Sequence, residues 1–219
     1  MLGIEELSMI NVLTIRRMAQ SRCLGGATME LVTGGAGFIG SHLVDTLVAE
    51  GKRVRVLDNF SSGREDFLSH HQDSGMVEIF KGDLLDIDAV KSAMEGIKTV
   101  HHLAANPDIR LGTEVTDTDL RQGTLATYNV LEAMRNSDVR RISFSSSSAI
   151  YGEASVMPTP ETYGPVKPIS LYGASKLASE ALITAWCGTF GAKSWIHRFA
   201  NIVGPRGTHG VIYDFIHKL

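Results

Sequence analysis

A chain of 219 residues, 43% hydrophobic and 21% charged, has the composition of a globular protein and the length for one sizeable core. Its net charge of −3, with both signs interspersed, excludes a nucleic-acid backbone binder, which needs a basic stripe. No apolar run approaches a membrane span, and Cys23 and Cys187 lie far apart, as free thiols of a reducing, cytoplasmic compartment do.

Residues 1–28 carry Glu5 and Glu6 early and scattered apolar side chains afterwards, which fits neither a signal-peptide core nor an acid-poor transit peptide. They read as a poorly ordered extension ahead of Met29. From there short β-rich runs alternate with helical ones. The pattern predicts strands at 29–33, 53–57, 77–80, 99–103, 141–144 and 194–199. Between them it predicts helices at 38–50, from Asp86 as a cap to near Gly96, at 119–136 and at 171–190. Strands alternating with helices make right-handed βαβ units, so the fold class is α/β, a Rossmann-type doubly wound parallel sheet. Residues 29–200 form this domain, and 201–219 begin a further substrate-binding region.

The first strand runs into Thr33-Gly34-Gly35-Ala36-Gly37-Phe38-Ile39-Gly40, with Gly34, Gly37 and Gly40 spaced three apart. Gly34 permits a tight turn, Gly37 lets a pyrophosphate approach the backbone, and Gly40 lets helix and strand pack closely. The helix N-terminus then offers N–H groups and a positive dipole end to the phosphates. Asp58 ends the second strand, 18 residues beyond Gly40, where a carboxylate accepts from the adenine-side ribose and repels a 2′-phosphate. The cofactor expected is therefore NAD rather than NADP. Asp83, after the third strand, is placed to meet the adenine.

Tyr172 and Lys176 stand four apart at the start of a helix and share one face. Oxidising an alcohol carbon needs a base for the hydroxyl proton, and a phenol near pKa 10 serves only if a neighbouring cation favours phenolate. Lys176, together with the nicotinamide charge, is expected to supply that effect. Ser147, 25 residues before Tyr172, can hold the same substrate oxygen, although Ser145, Ser146 and Ser148 adjoin it.

With these residues assembled, the chain resembles the extended short-chain dehydrogenase/reductase family of NAD-dependent epimerases and dehydratases, particularly its UDP-glucose 4-epimerase branch. The matching segments are TGGAGFIGSHL, VLDNFSSG, GDLLD, HLAAN, SSSSAIYG, LYGASK and RFANIVGPR. The resemblance implies NAD contacts from Phe38, Ile39, Asp58, Asn59, Ser62 and Gly63. It implies the same for Asp83, Leu84, Leu103, Ala104, Ala105, Tyr172 and Lys176. Ser147, Tyr172 and Asn201 would face the substrate, with Ser147, Tyr172 and Lys176 catalytic. The implied activity is epimerisation of a nucleotide sugar, UDP-glucose to UDP-galactose through a 4-keto intermediate, by a homodimer when full length. Dehydratases of the family carry an acid where this chain has Ser148 and Ala149, which favours epimerisation. The alternatives are another family dehydratase or reductase, or an NAD-binding fragment without turnover.

The chain departs from the family in three ways. Gly123-Thr124-Leu125-Ala126-Thr127 replaces an Asn-Val-x-Gly-Thr helix start, so a polar or packing contact there is expected to differ. Pro107 replaces a cofactor-facing lysine of some epimerases, and the family's fold continues beyond the equivalent of Leu219. The eight histidines show no metal-ligand spacing, so no metal is expected, and His101 and His102 read as structural. Arg198 and Arg206 fit either a diphosphate contact or a solvated loop face. Trp186 and Trp195 read as core or edge residues.

Overall fold

In the computed structural model the described residues are 28–207 together with Tyr213 and Phe215. The expectations for residues 1–27, and for most of the final segment, lie outside them.

Six strands form one parallel sheet: β1 (Met29–Thr33), β2 (Arg53–Asp58), β3 (Val77–Lys81), β4 (Ile97–His102), β5 (Arg141–Ser147) and β6 (Lys193–Phe199). Their order across the sheet is β3-β2-β1-β4-β5-β6. The order in which strands are added reverses between β1 and β4, where a crevice opens at the carboxyl ends of the strands.

Each predicted strand is present, and β5 runs three residues further than its apolar pattern, through Ser145, Ser146 and Ser147. Those serines stay in the sheet because β6 pairs with them to Phe199. Alternation along β1 sends Leu31 and Val32 to opposite faces. Val32 joins Leu43, Val44 and Leu47 of α1 (Phe38–Ala49) in one apolar cluster. Leu31 joins the opposite cluster with Val90 of α2 (Ile87–Ala93) and Ile183 of α5 (Leu171–Phe190). Asp86 caps α2 as read, accepting from the backbone of Asp88 and Ala89.

The helix predicted over 119–136 is continuous but begins as a π turn at Leu120–Leu125, after the one-turn α3 (Leu111–Glu114), and becomes regular only in α4 (Ala126–Arg135). A π turn inserts one extra residue and shifts the side chains that follow. Gly123 lies in it, and a Cβ there would stand 2.6 Å from the Ser175 hydroxyl. The departure at Gly123 is thus a packing change: with no side chain, this turn lies directly against the start of α5.

Candidate active site

The glycine turn folds as its spacing requires. Gly34 has φ +69°, and a Cβ there would stand 2.8 Å from the Ala104 backbone. A Cβ on Gly40 would collide with the Gly34 carbonyl oxygen at 2.1 Å. No side chain caps the first turn of α1, whose N-cap is Gly37. The cradle fits a pyrophosphate: backbone amides at a helix N-terminus, with glycines wherever a side chain would fill the approach.

Asp58 is bound into this turn. Its Oδ2 accepts from the Ala36 amide and its Oδ1 from the Phe60 amide, each at 2.9 Å. An ionised carboxylate has about four acceptor positions, so both oxygens retain capacity toward a ribose. Asp83 accepts from the Leu85 amide and from the Asn59 side chain at 2.9 Å, which fixes two neighbouring residues of the adenine end.

At the other end, Tyr172 and Lys176 project from the first two turns of α5, whose start Ser170 caps by accepting from the Gly173 amide. The four contiguous serines separate by orientation. Ser145 donates to the His102 carbonyl, Ser146 donates to Glu180, and Ser148 is exposed at the head of a 3-10 turn. Ser147, whose Oγ accepts from the Ala149 amide at 3.1 Å, is the one of the four that acts on the Tyr172 phenol, where it favours the phenolate. Lys176 is 3% exposed and donates from Nζ to the Ser145 carbonyl at 2.7 Å.

Burial raises the Tyr172 phenol above its ordinary value, against the opposing Ser147 hydrogen bond, and the Asp119 charge adds to the rise. The Lys176 ammonium stands over the phenol ring, 5.7 Å from its centroid. Burial lowers Lys176 itself to about 8, although Asp119 opposes the fall. His102, buried and close to the Lys176 charge, falls to about 3 and is neutral. It bridges Thr33 Oγ1 at 2.8 Å and Thr127 Oγ1 at 3.0 Å, so its role is structural, as is that of His101 beside Glu30.

Asp119 is the residue that sequence reasoning missed. It is 2% exposed, accepts from Asn106 Nδ2 at 3.1 Å, and its Oδ2 has no hydrogen-bond partner among the described residues. Only its place at a helix start was legible. Nothing in the spacing relates it to a pair 53 residues onward.

Neither reading of Arg198 holds. It pairs with Glu180 at 2.8 Å and donates to the Tyr151 hydroxyl and the Glu161 carbonyl, and it does not line the cleft. Arg206 pairs with Asp45 at 2.8 Å. Trp186 packs between Tyr128 and Phe190, and Trp195 is half-exposed on the edge strand β6.

One cleft of about 630 Å³ runs along the carboxyl ends of the strands. The whole set reached from the sequence lines it: Gly34, Gly37, Phe38, Ile39, Gly40, Asp58, Asn59, Ser62, Gly63, Asp83, Leu84, Leu103, Ala104, Ala105, Ser147, Tyr172, Lys176 and Asn201. The glycine cradle and the Ser–Tyr–Lys group are thus parts of a single cavity.

Residues 30–219 match the family described as the NAD dependent epimerase/dehydratase family. The chain belongs to that family. A putative UDP-glucose 4-epimerase of Methanocaldococcus jannaschii is 38% identical over 199 residues, 87% of this chain and 63% of that protein. A crystal structure of a UDP-galactose 4-epimerase superposes with a TM-score of 0.78 at 49% identity, covering 87% of this chain and 62% of the other. A UDP-N-acetylglucosamine 4-epimerase from Methanobrevibacter ruminantium reaches a TM-score of 0.81 at 31% identity, covering 88% and 63%. The chain therefore spans less than two thirds of these relatives. No helix among the described residues is long and apolar enough to cross a membrane.

Proposed function

We propose that this chain binds NAD and carries the acid–base group of a nucleotide-sugar 4-epimerase, with UDP-glucose and UDP-galactose as the substrate pair. The observation that carries the reading is that Ser147, Tyr172 and Lys176 line the same cleft as the glycine cradle and Asp58. Asp58, Asn59 and Asp83 hold the adenosine end, and the amides of α1 receive the pyrophosphate. NAD held there would supply reversible two-electron hydride acceptance for the sugar C4.

Tyr172 removes the C4 hydroxyl proton as the carbon is oxidised and returns it after the keto sugar has turned over. Ser147 donates to the same oxygen and holds it within reach of the phenol. Lys176 carries a positive charge close to the developing phenolate, tethered by the Ser145 carbonyl. Ser148 and Ala149 follow directly and offer no carboxylate for an elimination, which supports epimerisation over dehydration.

The UDP-glucose and UDP-galactose pair rests on similarity to relatives of those names, and an N-acetylated hexose is the competing substrate because a relative so named is equally similar in fold. Incubation with NAD and UDP-galactose, followed by assay for UDP-glucose, tests the reading. Conversion that falls by roughly a hundredfold in Tyr172→Phe, the usual scale for losing a positioned acid/base, supports it. NAD binding without conversion of either sugar would reduce the chain to a cofactor-binding fragment. Release of a dehydrated product would assign it to the dehydratases.

A further inference from the structure

His70 and His71 are adjacent in the loop after β2, in the turn Ser69–His71, and Asp45 stands 25 residues before them on α1. Folding brings the three together. Both imidazole Nε2 atoms lie 2.8 Å from one oxygen, Asp45 Oδ1. The two rings are tilted by 42° with centroids 4.0 Å apart. One ligand atom from each residue falls within 4.8 Å of the others.

We infer that Asp45, His70 and His71 form a binding site for a divalent transition metal of the zinc class. Two neutral imidazoles with one carboxylate suit zinc and its neighbours, whereas magnesium and calcium need oxygen donors throughout. In a tetrahedral site with bonds near 2.0 Å the ligand atoms stand about 3.3 Å apart, so the cluster needs to open by roughly 0.5 Å. The moving part is His70, whose side chain is 47% exposed, while His71 is held at 10%. The solvent side of His70 leaves the fourth position to water.

The outer contacts also fit. Asp45 Oδ2 is held by Arg206 Nη1 at 2.8 Å, which leaves Oδ1 aimed at the imidazoles. That arrangement orients the carboxylate, and it also sets a guanidinium close to the incoming cation. Arg206 therefore lowers affinity while it shapes the site. His42 Nε2 lies 2.9 Å from the Pro205 carbonyl, so the same patch fastens the 204–207 segment to α1.

The simpler account is a hydrogen-bonded cluster in which both imidazoles donate to Asp45 and no metal binds. Titration of the whole protein with Zn2+ alone, by calorimetry, separates the two, with NAD binding measured on every variant to establish folding. The site predicts one saturable Zn2+ per chain, weakened at least tenfold in His70→Ala and in Asp45→Asn. Arg206→Gln, which removes the competing cation, should tighten Zn2+ severalfold. Absence of saturable binding by the unaltered protein, or unchanged binding by a folded His70→Ala, would overturn the assignment.

Discussion

The ammonium of Lys176 donates to the main-chain carbonyl of Ser145 at 2.7 Å, two residues before Ser147 on the same strand. That bond ties the first turns of α5 to the end of β5. It keeps Tyr172, one helical turn before Lys176, near the strand end that carries Ser147. The lysine that tunes the reaction is thereby also a spacer between the two elements that carry it.

This double role costs stability. An ammonium buried to 3% exposure loses its hydration and regains one carbonyl bond, the faces of the Phe144 and Tyr172 rings at 4.9 and 5.7 Å, and the charge of Asp119. Lys176→Met, of similar shape, should raise the melting temperature at pH 7 by the equivalent of about 1–2 kcal/mol, while weakening NAD binding. The lysine is lowered from 10.5 to about 8, so between those pH values the unfolded chain holds a proton that the native chain has released. Stability from this group therefore rises with pH across that window, and below it the full cost remains. Denaturant midpoints of the parent and Lys176→Met should converge as pH rises from 8 to 10.5, and a constant gap would count against a buried ammonium.

Asp119 raises the proton affinity of both Tyr172 and Lys176. Asp119→Asn keeps the shape and the bond to Asn106 while removing the charge, so both groups should titrate at lower pH than in the parent. The limb of the pH–rate profile controlled by the phenol should move toward acid, with KM for the sugar little changed. A variant that loses activity uniformly at all pH values would show Asp119 to be a packing residue only.

Asp58 serves two structures at once, accepting from Ala36 and Phe60 while lining the cleft. Its charge should make NAD bind at least about tenfold more tightly than NADP, which places a phosphate at the ribose position. Equal affinities in a fluorescence titration would remove Asp58 from the ribose site. Asp58→Ala should weaken both cofactors, because the glycine turn loses an acceptor that holds the Ala36 amide.

His102 is lowered from 6.5 to about 3 by burial and by the Lys176 charge. Below pH 6.5 the unfolded chain takes up a proton that the native chain excludes. The stability this ring contributes is complete above 6.5 and is lost progressively as pH falls toward 3. Urea midpoints between pH 7 and 5 should drop more steeply for the parent than for His102→Gln. Parallel slopes would mean that His102 titrates normally.

Much of this protein is written in short stretches of chain. Alternation along Met29–Thr33 and the three-residue glycine spacing specify a strand and a phosphate turn, because backbone conformation and side-chain direction repeat over a few residues. The four-residue step from Tyr172 to Lys176 is likewise a property of one helix. Asp58 was legible because its place at the end of a strand follows from the βαβ order. Tertiary structure decided what depends on distant neighbours. Pairing with β6 carried β5 through its serines, and α5 then met only one of the four with its phenol. Packing buried Asp119 near Lys176, withdrew Arg198 to Glu180, and folded His70 and His71 onto Asp45. Local pattern says where a side chain points from its own element. Which charge or hydroxyl stands opposite, and whether water reaches it, is set by how the elements pack, and those two things determine proton affinity.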